Sequence, residues 1–354
     1  MQSCSCSTWR CNLRREAKAL VRSSIRRYNH QMTARSQANC DKQMTPEIDR
    51  RAALAFGVAS LSYAIATTAL ASSPMPNAAM LTKPIPSTGE AMPVVGLGTW
   101  QAFDIGDDPA ELAERREVLE VLFQAGGRMI DSSPMYGRAE VAVGRLLAGM
   151  KARDKAFLAT KVWTSGEAAG IAQMRASAEN MHAGKTVELM QIHNLVDWRT
   201  HLKTLRSWKE QGTFRTIGIT HYTTSAFDDL MAIMRTEKID FVQLPYSLAV
   251  RAAESKLLPL AQEKGIAVIP NRPFDGANMF AKVKGRPLPD WAAEIDAKSP
   301  GQIFLKYLIG HPAITCVIPG TAKPSHMRDN VAAGFGHMPD AVFRQRMAKW
   351  YDGV

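Results

Sequence analysis

Cysteine is almost absent from this 354-residue chain outside its first 40 residues. Four of the five cysteines lie in that N-terminal part, and only Cys316 lies beyond it. The body of the chain is therefore not a disulfide-stapled scaffold. Cys4, Cys6 and Cys11 have no second pair at the spacing of a zinc finger, so we predict no metal site.

Hydrolytic motifs are also lacking. No His-Glu-x-x-His sequence occurs, and no Ser-His or Cys-His spacing suits acyl transfer. The dinucleotide-binding fingerprint is incomplete, because in the segment from Val95 to Gln101 the glutamine stands where a third glycine belongs. These absences count against a hydrolase and against an open Rossmann sheet, which is the second choice of fold.

The net charge of +11 is concentrated near the N-terminus. Residues 1–43 contain nine Lys or Arg side chains and only two acidic ones. Because the positive charge belongs mostly to this basic leader, we predict no nucleic-acid partner. Translation that starts at Met32 or Met44 is an equally simple explanation of the leader.

Residues 44–71 resemble a twin-arginine signal peptide. Arg50 and Arg51 precede a charge-free segment rich in Ala, Ser and Thr, and Ala69 and Ala71 offer the small side chains that a signal peptidase requires. We therefore expect a twin-arginine export machinery as partner and a periplasmic location. The alternatives are a transmembrane anchor, a plain surface helix, and a cytoplasmic protein whose leader does not function.

Short apolar runs recur along the body of the chain, with helical patterns between them. The eight runs are Val94–Leu97, Met129–Ile130, Phe157–Val162, Val187–Ile192, Ile217–Ile219, Phe241–Leu244, Ala267–Ile269 and Cys316–Ile318. Strands that alternate with helices pair in parallel. Eight such units predict an α/β fold, a single-domain (β/α)8 barrel (TIM barrel) over residues 72–354.

Two connections can be predicted from the prolines that they contain. A third can be predicted from the length of the gap between two apolar runs. Pro74–Pro86 is expected to be a proline-rich linker, and Asp108 with Pro109 is expected to start a helix. The longest gap between apolar runs lies between Ile269 and Cys316, and we expect one long loop there, over the barrel mouth.

Polar residues close three consecutive runs of the predicted barrel. Asp131 ends the second run, Lys161 lies near the end of the third, and His193 ends the fourth, with Tyr136 in the loop after the second. Because active sites in barrels lie at the carboxyl ends of the strands, we expect these four side chains on one rim. The structural alternatives are a buried ion pair that joins two strands and a packed core histidine.

The four side chains suit proton donation to an oxygen that gains negative charge. A tyrosine is a weak acid near neutral pH, but a neighbouring lysine cation favours its phenolate, and a carboxylate holds the lysine. A histidine can orient a carbonyl oxygen by donating a hydrogen bond. Hydride transfer to a carbonyl carbon produces such an oxygen.

Seven segments of the body resemble, in order, the motifs of the aldo-keto reductase superfamily. They are VGLGTW at 95–100, MIDSSPMYG at 129–137, ATKVW at 159–163, LMQIHN at 189–194, IGITHY at 217–222, VQLPYS at 242–247 and VIPGTAKPSHMRDN at 317–330. The resemblance covers about residues 85–333 and implies an NADPH-dependent reductase of aldehydes and ketones. It implies that Tyr136 is the general acid, that Lys161 and Asp131 tune it, and that His193 orients the carbonyl.

The resemblance also implies a set of contacts to the nicotinamide. Gln243 matches the glutamine that holds the carboxamide, while Thr220 and His221 stand where the family usually has Ser-Asn. The aromatic ring that stacks on the nicotinamide in the family is replaced by Asn271.

At the adenosine end, the last motif differs from the usual family pattern. Gly320 and Thr321 replace Lys-Ser, so Lys323 and Arg328 are expected to supply the charge at the 2′-phosphate. The resemblance implies NADPH rather than NADH. The complete predicted set of cofactor-binding residues is Gly98, Thr99, Thr220, His221, Gln243, Gly320, Thr321, Lys323, Arg328 and Asn330.

The implied substrate is a small carbonyl compound. Trp100 and Trp163 match the aromatic walls of the family's substrate pocket, and core packing is their alternative interpretation. Two other functions stay open. A low-turnover nucleotide-binding or sensory barrel is favoured by the changes at His221 and Asn271, and an isomerase or epimerase on the same fold would also use a lysine and an aspartate.

Overall fold

The structure is a computed structural model of the chain, and it describes residues 79–354. The predicted basic leader, residues 1–43, and the predicted signal segment, residues 44–71, lie outside the described residues. Within residues 79–354, no helix is both long enough and apolar enough to cross a membrane.

Parallel strands form the centre of the described fold. The strands are β1 (Thr82–Pro84), β2 (Ala91–Pro93), β3 (Leu97–Gly98), β4 (Met129–Asp131), β5 (Phe157–Val162), β6 (Val187–His193), β7 (Phe214–Thr220), β8 (Phe241–Pro245) and β9 (Ala267–Asn271). From β3 to β9 each strand pairs in parallel with the next one along the chain, whereas β1 and β2 form a separate antiparallel hairpin. Parallel pairing of consecutive strands is the arrangement that the spacing of the apolar runs predicted.

Helices connect the strands and continue beyond them. They are α1 (Pro109–Gln124), α2 (Ala139–Met150), α3 (Glu167–Asn180), α4 (Trp198–Glu210), α5 (Phe227–Thr236), α6 (Leu257–Glu263), α7 (Asn278–Val283), α8 (Pro300–Ile309), α9 (Pro324–Ala332) and α10 (Ala341–Asp352). The predicted start of α1 is confirmed, because Asp108 accepts hydrogen bonds from the Ala110 and Glu111 amides at 2.8 and 3.0 Å.

The eighth apolar run closes the sheet into a barrel without forming a regular strand. Isolated parallel bridges connect this segment to both edges of the sheet, namely Val95 to Val317, Gly98 to Gly320 and Val268 to Ile314. The prediction of a strand over Cys316–Ile318 is therefore wrong in detail, although the (β/α)8 barrel is confirmed. Pro319 explains the irregularity, because it has no N–H to donate and restricts the residue before it.

Strand β1 of the hairpin lies in the predicted linker Pro74–Pro86, of which residues 74–78 are outside the described residues. Ile85 and Met92 are fully buried in one cluster with Met129, Phe157 and Phe241, the first residues of three barrel strands. The hairpin therefore fills the amino end of the barrel, and the linker prediction is wrong for residues 82–86. The carboxyl ends of the strands form the opposite rim.

The segment between β9 and α8 is not the single long loop that was predicted. It contains α7 and two 3-10 helices, Asp275–Ala277 and Asp290–Ile295. Met279, Trp291 and Ile295 are buried in the core. Because this burial anchors the segment, it is a packed part of the fold rather than a simple loop over the barrel mouth.

Candidate active site

A buried ion pair joins the ends of β4 and β5. The Lys161 Nζ atom lies 2.6 Å from Asp131 Oδ2 and donates a second hydrogen bond to the Ser132 carbonyl at 2.7 Å. Lys161 is fully buried. Burial alone would lower the pKa of Lys161, but the Asp131 carboxylate and Tyr136 outweigh it and raise that pKa above its ordinary value. The lysine therefore stays a cation at neutral pH.

The second oxygen of Asp131 accepts from two glutamines. Gln191 Nε2 lies 3.2 Å and Gln243 Nε2 lies 3.0 Å from Asp131 Oδ1. The sequence analysis missed Gln191, which lies two residues before His193 and so points to the same side of β6. That alternation was the signal that could have found it. The carboxylate is thus held by three side chains on three different strands.

Tyr136 lies in the loop after β4, beside this ion pair. Lys161 Nζ is 5.1 Å from the centre of the Tyr136 ring. The Tyr136 amide donates to the Ser133 carbonyl at 3.0 Å, and Gly137 continues the turn at a φ of 61°, which a glycine adopts without strain. Three of the four predicted catalytic side chains, Asp131, Lys161 and Tyr136, therefore lie together at the predicted rim.

The pKa of Tyr136 is raised above its ordinary value. Burial is the largest cause even though the residue is partly exposed; Lys161 lowers the pKa and Asp131 raises it. The lysine therefore acts in the predicted direction, but burial outweighs it. The phenol remains protonated at neutral pH, which is the form that a general acid requires.

His193 completes the group at the end of β6. Its ring meets the Tyr136 ring edge to face at 5.8 Å, and Nδ1 lies 2.9 Å from Ser133 Oγ. Burial, together with the charge of Lys161, lowers the pKa of His193 to about 2. The imidazole is therefore neutral, and it can donate one hydrogen bond.

Trp100 and Trp163 are not core residues. Their exposed fractions are 51% and 38%, and the Trp163 ring lies 6.4 Å from the His193 ring. The backbone of Trp163 is held on both sides by Gln173 of α3, which accepts from its amide at 2.5 Å and donates to its carbonyl at 3.3 Å. An exposed indole beside His193, on a backbone that Gln173 holds, fits a pocket wall better than core packing.

Two predicted contacts to the nicotinamide, Thr220 and Gln243, lie at the ends of β7 and β8, close to Asn271, which stands in place of the family's stacking ring. Thr220 donates to Gln243 Oε1 at 3.2 Å, and Asn271 Nδ2 donates to the His221 carbonyl at 3.0 Å. The Asn271 Oδ1 atom is buried without a partner among the described residues. A buried acceptor without a donor fits a ligand that brings an N–H or O–H group to this edge.

His221 is turned toward its own loop. Its Nδ1 accepts from the Thr223 amide at 3.2 Å, and its ring stacks on the Tyr222 ring at 5.5 Å. Burial lowers the pKa of His221. The imidazole therefore does not simply reproduce the amide of the usual asparagine.

Gly98, Thr99, Gly320 and Thr321 have structural partners of their own. A Cβ atom on Gly98 would lie 2.8 Å from the Ile318 carbonyl oxygen, and one on Gly320 would lie 3.2 Å from the Gly98 carbonyl oxygen. Thr99 donates to the Asp131 carbonyl at 3.0 Å, and Thr321 Oγ1 accepts from the Lys323 amide at 3.1 Å. These four residues therefore shape the closing strands of the barrel.

The remaining predicted residues lie on or beside α9. Lys323 is exposed at the N-cap of this helix, and Asn330 is buried within it. Arg328 forms an exposed ion pair with Glu117 of α1 at 2.8 Å. Both cations are thus near the N-terminal half of one helix, where a phosphate is favoured.

The sequence profile of the Aldo/keto reductase family matches residues 94–349 of this chain. The methylglyoxal reductase YeaE of Escherichia coli is 26% identical over 68% of this chain and 85% of its own length. The NADP-dependent D-sorbitol-6-phosphate dehydrogenase of Malus domestica is 24% identical over 69% of this chain and 86% of its own. The crystal structure of an aldo-keto reductase from Klebsiella pneumoniae in complex with NADPH has a TM-score of 0.65 at 23% identity, covering 77% of this chain and 96% of that one.

Proposed function

This chain belongs to the aldo/keto reductase family, and we propose that it reduces an aldehyde or ketone to an alcohol with NADPH as the hydride donor. One observation carries the proposal: the buried Lys161–Asp131 pair at 2.6 Å lies beside Tyr136 and His193. A lysine cation held next to a protonated phenol is an arrangement for delivering a proton.

In this mechanism bound NADPH supplies the hydride that reaches the carbonyl carbon. Neutral His193 donates a hydrogen bond that orients the carbonyl oxygen. Tyr136 then transfers its phenolic proton to that oxygen as it gains negative charge. Lys161 stabilises the phenolate that remains, and Asp131 keeps the lysine in place.

The cofactor is assigned to the edge formed by β7, β8, β9 and α9. Thr220, Gln243 and Asn271 would hold the nicotinamide carboxamide, and Lys323 with Arg328 would contact the 2′-phosphate. The choice of NADPH is supported by these two cations and by the cofactors named for relatives in Malus domestica and Klebsiella pneumoniae. Arg328 must leave Glu117 to make this contact, and an exposed ion pair costs little to break.

The substrate is proposed only as a small carbonyl compound. The related proteins are named for different substrates, methylglyoxal in one and sorbitol 6-phosphate in another. Trp100 and Trp163 would form apolar walls beside His193. Each wall favours a substrate that can bury some hydrocarbon surface.

The loss of NADPH absorbance with a panel of aldehydes and ketones tests this function. Tyr136→Phe removes the proton donor and is expected to lower kcat by about 10²–10⁴-fold. Tyr351→Phe, in α10 and buried in the core, is the matched control and should leave kcat unchanged. Full activity of Tyr136→Phe would defeat the mechanism.

The same assay separates the two other functions. A sensory barrel would bind NADPH and consume almost none of it with any substrate. An isomerase or epimerase would convert its substrate without net loss of NADPH. Net reduction that depends on Tyr136 excludes both.

We also propose that residues 44–71 direct export through the twin-arginine machinery. That route carries folded proteins, which suits an enzyme that must bind its cofactor before it leaves the cytoplasm. N-terminal sequencing of the protein from the periplasm should give a terminus near Ser72, and replacing Arg50 and Arg51 with lysine should retain the precursor in the cytoplasm. A mature protein that begins at Met1, Met32 or Met44 would contradict this proposal.

A further inference from the structure

Ser133 makes a buried hydrogen bond to the catalytic imidazole. Its Oγ atom lies 2.9 Å from His193 Nδ1, and Ser133 is fully buried. Neither the motif resemblance nor the charge pattern singled out this serine. It follows Asp131 by two residues, so it belongs to the loop that also carries Tyr136.

The hydrogen-bond partners of Ser133 decide which atom donates in this contact. The Met135 amide donates to Ser133 Oγ at 3.4 Å, while the Tyr136 amide donates to the Ser133 carbonyl oxygen. Among residues 79–354, His193 Nδ1 is then the acceptor that remains for the Ser133 hydroxyl hydrogen. The opposite arrangement, with a hydrogen on Nδ1, would leave a buried hydroxyl group without an acceptor, which is unfavourable.

The charge state of His193 makes this choice matter. Because burial lowers its pKa to about 2, the ring is neutral and carries a single N–H. If Nδ1 accepts from Ser133, that hydrogen must lie on Nε2, on the other side of the ring. Within the described part of the chain, Nε2 has no hydrogen-bond partner, and the residue keeps a small exposed fraction of 6%.

We propose that Ser133 is a positioning residue that donates to Nδ1 of His193 and so keeps the imidazole in the Nε2–H form. An imidazole in that form donates a hydrogen bond through Nε2, whereas the other tautomer would present a lone pair to the carbonyl oxygen and repel it. The tautomer follows from the structure alone, and only its use in orienting a substrate rests on the proposed reductase function.

Nitrogen-15 NMR of histidine-labelled protein tests the tautomer directly, because protonated and unprotonated ring nitrogens resonate at different positions. A His193→Asn variant assigns the signals by their disappearance. We expect the Nε2–H form alone in the wild type, a mixture in Ser133→Ala, and the wild-type form again in Ser133→Thr, which keeps the hydroxyl. An Nδ1–H form in the wild type, or an unchanged tautomer in Ser133→Ala, would overturn the proposal.

Kinetics provides the second measurement. With saturating NADPH, Ser133→Ala should lower kcat by the same factor as the Nε2–H population falls in the NMR measurement, about 2-fold for an equal mixture, because only that tautomer donates to the developing oxyanion. Its Kd for NADPH, measured by fluorescence quenching, should stay unchanged. Ser177→Ala is the matched control, because Ser177 is equally buried and its hydroxyl donates instead to Glu140 at 3.0 Å.

The NMR and kinetic measurements test separate parts of the proposal. If the wild type reduces no carbonyl compound, the reductase function fails while the NMR result still decides the tautomer. If the tautomer changes in Ser133→Ala but kcat does not, the positioning role is refuted although the hydrogen bond is real. If Ser133→Ala does not fold, as circular dichroism would show, the wild-type tautomer and Ser133→Thr decide the question.

Discussion

Two clusters of this protein contain the same kinds of side chain but connect them by different contacts. The first, at the barrel rim, joins Asp131, Lys161 and Tyr136. The second joins Glu254 to Arg344 and to the hydroxyl groups of Tyr246 and Tyr307, between the end of β8, α8 and α10. Each cluster has a carboxylate, a cation and at least one tyrosine, yet we assign catalysis to only one.

The order of contacts separates the two clusters. In the second, Glu254 Oε1 accepts from Tyr307 at 2.7 Å and from Arg344 at 2.6 Å, and Arg344 also donates to the Tyr246 hydroxyl at 2.6 Å, so both phenols are fixed by hydrogen bonds to Glu254. These contacts lower the pKa of Glu254, although burial opposes them. At the rim, the Tyr136 hydroxyl has no hydrogen-bond acceptor among residues 79–354, so its proton can go to a substrate. The first arrangement can transfer a proton, whereas the second joins α8, α10 and the 3-10 helix Ala252–Ser255.

Removing the Lys161 cation from the rim cluster should produce the largest loss of kcat. Lys161→Met is expected to lower kcat by about 10²–10⁴-fold, because the phenolate loses its stabilising charge. Steady-state kinetics at saturating NADPH measures it. Lys209→Met is the matched control, since Lys209 also pairs with a buried aspartate, Asp240, at 2.7 Å, but before β8 rather than at the strand ends. Equal losses of kcat in both variants would remove the distinction between the clusters.

Removing the Arg344 cation from the second cluster should instead lower the free energy of unfolding. Arg344→Met leaves Glu254 with its two phenols and without its ion-pair partner, and we expect a loss of about 3 kcal/mol in the free energy of unfolding. Removing one partner of a buried ion pair costs about 3–5 kcal/mol. The low end applies here because the Glu254 side chain is 32% exposed. Urea denaturation measures it, and kcat of the folded enzyme should not change. Arg346→Met breaks an exposed pair with Glu294 and should cost about 0–1 kcal/mol.

The barrel could be predicted from the sequence because each of its strands must be apolar and each must be followed by a helix. The hairpin could not, since β1 and β2 have three residues each and contain proline, which is atypical of strands. The irregular eighth strand was missed for a related reason. An apolar run predicts burial, but hydrogen bonding there depends on the backbone next to Pro319.

The rim cluster was predictable only in part. Asp131, Lys161 and His193 stand out because charged or titratable groups inside apolar runs are costly and unit spacing aligns them. Ser133 has no such signal, because a serine in a turn is common. Gln191 is an ordinary strand residue, and only its alternation with His193 on β6 marks it. The second cluster was not predictable at all, since it depends on contacts between residues as distant as Glu254 and Arg344.

The glutamine on Asp131 permits a finer test of the rim cluster. Gln191→Leu removes one donor to the Asp131 carboxylate and should lower kcat by about 10-fold, the low end for a hydrogen bond to a charged group, because the contact is long at 3.2 Å. Stopped-flow measurement of the hydride step reports it. Thr216→Val is the control, because Thr216 is also buried and its hydroxyl donates to the Glu188 carbonyl at 2.6 Å, near the amino end of β7. A larger loss of kcat in the control would show that the effect is not specific to Asp131.

Acid should act on a histidine that adjoins the second cluster. Burial, together with Arg344, lowers the pKa of His311 to about 4, and its ring meets the Tyr246 ring at 6.1 Å. Between pH 6.5 and 4 the unfolded chain therefore binds more protons at this site than the folded one, so stability falls as the pH falls. Urea denaturation at several pH values should show this slope, with a smaller one in His311→Asn. An equal slope in both proteins would assign the acid sensitivity to other groups, of which His193, with a pKa lowered to about 2, is the first to examine.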